Sequence, residues 1–216
     1  MKKKLEYKIL GYAYLILIFA AIVAVISYFQ IPDFDFQNIT VHPRTNQNLT
    51  TYTNDKYALQ IQYPKTDEFV LSSKDSAVEN FFRTNGQSLA SISLPQTAYP
   101  KTNFGSARVN IAVREGTFVE NCIYYFNGST TSNTLDGSAI VNRNPAFTTE
   151  FTDAAAGTQY ETHLYHIPHN NICYEISLTV GTGNIDNYPA GTVSEVNKAD
   201  VWNKLNSILN TFKFTK

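Results

Sequence analysis

From Ile9 to Ile31 the chain carries no charge over 23 residues, and about 20 helical residues suffice to cross the hydrocarbon core of a bilayer. This pattern predicts a transmembrane helix. Lys2, Lys3, Lys4 and Lys8 precede the run, offset only by Glu6, and the first charges beyond it are Asp33 and Asp35. Such an asymmetry keeps the basic flank in the cytoplasm and sends the rest of the chain outside. A cleaved signal peptide has a shorter apolar region ending at small residues. Here Ala20, Ala21 and Ala24 fall inside the run, with Val25, Ile26, Tyr28 and Phe29 still to follow. The reading is therefore a signal anchor, with residues 1–8 as cytoplasmic flank and 9–31 as the span.

Residues 32–50 show no helical period and read as a stalk. Beyond them the periodicity changes to two. Tyr57, Leu59, Ile61 and Tyr63 alternate with Ala58, Gln60 and Gln62 up to Pro64, after turn chemistry at Asn54-Asp55. Further strands are predicted over residues 69–71, 89–94, 107–114 and 146–152, with Val109, Ile111 and Val113 sharing one face of the third. Residues 77–83 suit one or two helical turns. Residues 117–126 fit helix or strand equally, and 127–138 read as a polar surface loop. A hairpin is predicted over 158–180. A three-residue loop at His169–Asn171 pairs Leu164 with Ile176, Thr162 with Leu178 and His166 with Tyr174. That register puts Glu161, His163, Tyr165, Cys173, Glu175, Ser177 and Thr179 on one face. After a loop at 181–191, Val201, Leu205, Ile208, Leu209 and Phe212 recur at helical spacing, an apolar stripe that must cover the sheet.

Length and charge narrow the picture. Of 216 residues, those from 51 to 216 make one domain of ordinary size. Outside the anchor there are 13 basic and 17 acidic residues, a net charge of −4. A nucleic-acid surface needs the opposite balance, so no nucleic acid is expected as a partner. Cys122 and Cys173 both fall in the outer part, where an oxidising compartment permits a bridge. Two buried free thiols are the other reading, since cysteine packs as a small apolar residue.

Three segments resemble the PsbP-like family, in particular its membrane-anchored bacterial members. They are the opening Tyr52-Thr-Asn-Asp-Lys-Tyr-Ala-Leu-Gln-Ile-Gln-Tyr-Pro64, the late Cys173-Tyr-Glu-Ile-Ser-Leu178 and the closing Leu205-Asn-Ser-Ile-Leu-Asn-Thr-Phe-Lys-Phe214. The resemblance implies an α+β domain, a central antiparallel sheet flanked by helices, used for binding partners. None of these segments is catalytic. The anchor is a departure from the soluble photosystem subunit after which the family is named.

Candidate chemistry centres on the hairpin. His163, His166 and His169 are spaced by three, and residues three apart on a strand point to opposite faces. A zinc set is therefore drawn from Glu161 and His163 with Glu175 from the adjacent strand, a mixed nitrogen and oxygen donor set. A cysteine nucleophile at Cys173 with His163 or His166 as base is the other enzyme reading. Gly181-Thr-Gly183 lacks the lysine and helix start of a phosphate loop. The expectation is a non-catalytic binding or accessory module without cofactor, held to the membrane through 9–31. Loops 99–106 and 127–138 would face an envelope protein or ligand.

Overall fold

The computed structural model describes residues 48–65, 69–72, 86–126 and 132–215. The predicted span at 9–31, the stalk up to residue 47 and the helical turns at 77–83 lie outside them. Among the described residues no helix is long and apolar enough to cross a membrane.

In chain order the strands are β1 (Leu49–Asn54), β2 (Leu59–Pro64), β3 (Val70–Ser72), β4 (Gln87–Leu94), β5 (Phe104–Glu115), β6 (Tyr124–Phe126), β7 (Ser132–Thr134), β8 (Gly137–Val141), β9 (Asn144–Ala155), β10 (Thr158–His169), β11 (Ile172–Gly183) and β12 (Lys213–Phe214). Among the described residues two α-helices join them, the single turn α1 (Val119–Cys122) and the longer α2 (Lys198–Leu209). Seven strands form one antiparallel sheet in the order β3-β4-β5-β11-β10-β9-β8, and β1-β2-β12 form a second. A short pair, β6 with β7, stands apart.

From β8 to β11 the chain meanders through three two-residue turns. Their central pairs, Asn142-Arg143, Ala156-Gly157 and Asn170-Asn171, all have positive φ. Two successive left-handed residues give the turn whose twist matches that of paired strands. Asparagine and glycine reach that conformation most readily.

Alternation decides which face is the core. Val109, Ile111 and Val113 of β5 lie beside Ile176 and Leu178 of β11, and all are buried. Leu59 and Ile61 of β2, Phe212, and Val201, Leu205, Ile208 and Leu209 of α2 complete the same cluster. Each such side chain contributes roughly 1.5–3 kcal/mol on burial. The Asn197 side chain caps α2 by accepting from the Asp200 amide.

The expected α+β architecture, a sheet flanked by helices, is corrected. The described residues are mainly β-strand, and four strands of the large sheet run to 12 residues each. The reason lies in the covering layer. One helix and a three-stranded sheet together bury the apolar face that flanking helices were expected to cover. Two loop assignments also change. Within the surface loop expected over 127–138, residues 132–134 are β7 and β8 begins at Gly137, and β11 continues through Gly183.

Candidate functional site

The hairpin register sets the chemistry. Because the β10–β11 turn has two residues rather than three, His169 pairs with Ile172, and every pair is displaced by one from the expected register. His166 opposes Glu175, Leu164 opposes Ser177 and Thr162 opposes Thr179. A displacement of one residue exchanges the faces of one strand relative to the other. Glu161 and His163 therefore share a face with Ile176 and Leu178, while Glu175 and Cys173 share the other with His166. The structure does not bring Glu161, His163 and Glu175 together as a donor set.

On the α2 side, Glu161 pairs with Lys198. The His163 ring stacks on Trp202 with centroids 4.0 Å apart and planes 12° from parallel. His163 Nε2 also lies 3.6 Å from Glu150 Oε1 on β9. These residues join the helix to the sheet.

On the opposite face, Cys122 of α1 and Cys173 of β11 form a disulfide with Cα atoms 5.4 Å apart. Both sulfurs are thus taken, including that of Cys173, the nucleophile of the alternative enzyme reading. His166 lies beside the bridge, its side chain wholly buried. Its Nδ1 is 2.6 Å from the Cys122 carbonyl oxygen, which only accepts, so Nδ1 carries the proton and donates it. Nε2 has no hydrogen-bond partner among the described residues and lies 4.0 Å from Glu175 Oε1. Burial is the main cause that pushes His166 down to about 4. The Cys122 carbonyl bond opposes that shift and the charge of Arg114 adds to it. The imidazole is therefore neutral near pH 7.

Glu175 is buried and held from two sides. Arg114 Nε lies 3.0 Å from its Oε1, and the Gly86 amide donates to Oε2 at 2.9 Å. Arg114 Nη2 also donates to the Tyr124 carbonyl at 3.1 Å and sits 3.7 Å from Cys173 Sγ. One guanidinium thus binds the sheet carboxylate, the bridge and the segment after α1. A buried carboxylate needs such a counter-charge, and losing one partner of such a pair typically costs about 3–5 kcal/mol. Sequence reading missed this cluster. The pattern that announces it is Cys173 and Glu175 two apart opposite His166, legible once Asn170-Asn171 is taken as the whole turn.

A separate cleft of about 1060 Å³ opens where the β9–β10 turn meets the end of β11 and the entry to α2. Hydrogen-bonding groups line it, among them Asp153, Gln159, Asn184, Asn187 and Lys198. Asn103 fixes two of its walls, donating to the Gly183 carbonyl at 2.8 Å and accepting from the Val196 amide at 2.9 Å. A smaller apolar hollow of about 620 Å³ lies between Val119, Ile140, Phe147 and Pro168.

No family model matches this chain, and no curated protein matches it. Among solved structures, a protein from Bacteroides thetaiotaomicron is similar at a TM-score of 0.44 and 14% identity, over 77% of this chain and 48% of that one. The chain thus spans about half that protein's length. LpqN, involved in cell envelope biogenesis of Mycobacterium tuberculosis, is similar at a TM-score of 0.42 and 11% identity, over 79% of this chain and 93% of that one.

Proposed function

We propose that this chain is a membrane-tethered, non-catalytic binding module of the cell envelope, displayed outside the cytoplasm, with affinity to PsbP-like domains in the three segments named above. The observation that carries the binding reading is the 1060 Å³ cleft. Its lining is rich in amide and hydroxyl groups, which recognise a polar partner by hydrogen bonds, and rigid sheet ends position them. Location rests on the uncharged run behind a lysine-rich flank and on the buried disulfide, a bond that persists in oxidising compartments.

The test is site-specific photo-crosslinking of the full chain in native membranes. A photoreactive side chain replacing Gln159, in the cleft, is expected to give an adduct that disappears when Asn187→Trp fills the space. The same group at exposed Ser207 on α2 is expected to give none. Equal labelling at both positions, or none at Gln159, overturns the reading.

A further inference from the structure

We propose that reduction converts the Cys122–Cys173 bridge into a metal site, in which the two cysteine sulfurs and His166 bind one thiophilic divalent ion such as zinc. The two sulfurs and a ring nitrogen of His166 lie within 4.8 Å of one another, and all three residues are buried. A tetrahedral zinc ion bound at about 2.3 Å from sulfur and about 2.0 Å from nitrogen needs donor atoms roughly 3.5–4 Å apart. The cluster is therefore near the required size, and the sulfurs need only separate from bonding distance.

The surroundings already have the form of an outer shell. Metal-binding imidazoles usually give their second nitrogen to a carbonyl or carboxylate, which fixes the ring. His166 fits this pattern: Nδ1 gives its proton to the Cys122 carbonyl at 2.6 Å, which leaves Nε2 to bind the ion. Arg114 Nη2, 3.7 Å from Cys173 Sγ, favours the thiolate over the thiol. A way in follows from the bond itself. Cys122 ends a single helical turn whose cap residue Phe118 and first residue Val119 are largely exposed, so cutting the bridge removes a covalent tie between that turn and β11.

The chemistry balances with a dithiol as reductant. The disulfide takes two electrons and two protons and becomes two thiols, while the dithiol becomes a disulfide. Binding of the divalent ion then forms two metal–sulfur bonds and releases the two thiol protons. The site holds α1 on β11 by a metal where the oxidised chain holds it covalently. This inference is independent of the cleft.

The experiment uses the full chain in detergent micelles, reduced with a dithiol that is then removed under nitrogen. Titration with cobalt, which reports thiolate ligation by sulfur-to-metal charge-transfer absorption, is expected to saturate at one ion per chain. Zinc is expected to displace it and to raise the melting temperature of the reduced chain. The oxidised chain is expected to show neither effect. His166→Gln keeps both cysteines and is expected to weaken cobalt binding by at least the ~10–100-fold that loss of an outer partner costs. A reduced chain that gives no charge-transfer band overturns the proposal. So does a band of equal affinity in His166→Gln, since an unfolded pair of cysteines binds without the histidine.

Discussion

His166 and Glu175 oppose each other directly across the β10–β11 ladder, their side chains wholly buried and His166 Nε2 4.0 Å from Glu175 Oε1. Across so short a gap a cationic imidazole would be attracted to the carboxylate. The protein nevertheless keeps His166 neutral, because burial penalises the charged ring and the positive charge of Arg114, which pairs with Glu175, adds to that penalty.

That neutrality predicts a pH dependence of stability. The folded-state value of about 4 lies below the ordinary 6.5, so between those values the unfolded chain binds more protons. Stability is then complete above about pH 6.5 and falls as pH drops toward 4. At pH 4.5 the loss attributable to His166 is about 2–3 kcal/mol. Urea unfolding of the parent and of His166→Gln at pH 7 and 4.5 isolates it, since other titrating groups contribute to both. Equal losses in the two proteins would mean that His166 accepts a proton without penalty in the fold.

The Asn170-Asn171 turn offers a test of the register. Both residues have positive φ, 48° and 60°, a region where a β-branched side chain is strained. Asn170→Val is expected to lower stability by about 1–3 kcal/mol, whereas Asn171→Gly fits the same turn and should be near neutral. Thermal melts of both variants check this. A tolerated valine would indicate a different turn from the one described.

This turn also marks the limit of what the sequence discloses. Alternation placed β2, β4, β5 and the β10–β11 hairpin because one apolar face repeats over many residues, and a helical period placed α2. Each of these signals averages over a whole element. The candidate site depends instead on a single residue, the length of one turn. Pairing Leu164 with Ile176 groups aliphatic side chains, yet Leu164 lies with Phe147 and Phe151 in a second apolar cluster on the other face. Hydrophobic burial on both faces of a strand removes the penalty that would have exposed the slip. The overestimate of helix has a related cause. An apolar sheet face demands a cover, and sequence alone does not distinguish a helix from a β1-β2-β12 layer supplied by distant parts of the chain.

Trp202 and His163 allow a check on how α2 is seated. Trp202 is the chain's single tryptophan, so the emission reports the surroundings of this one indole, the His163 ring among them. Removing the stacked ring with His163→Ala is expected to shift the emission to longer wavelength and cost about 0.5–1.5 kcal/mol. Emission spectra and urea unfolding measure both effects. An unchanged spectrum would show that the indole is shielded by other groups.

The disulfide supplies the largest single effect expected from a chemical change. Cys122 and Cys173 are 51 residues apart, and closing a loop of that length in the unfolded chain is worth about 4 kcal/mol on chain-entropy grounds. Alanine at both positions keeps the site apolar and avoids unpaired hydroxyls, so Cys122→Ala with Cys173→Ala should lose about that amount in urea unfolding at pH 7. The compartment can be read from the same residues. In native membranes a thiol-alkylating reagent added under denaturing conditions should modify neither cysteine before reduction and both after it, since an oxidising exterior keeps the bond formed. Alkylation without reduction would place these cysteines in a reducing environment and remove a main support for the extracytoplasmic reading. A double variant as stable as the parent would show that the unfolded chain is already confined where the bridge would act.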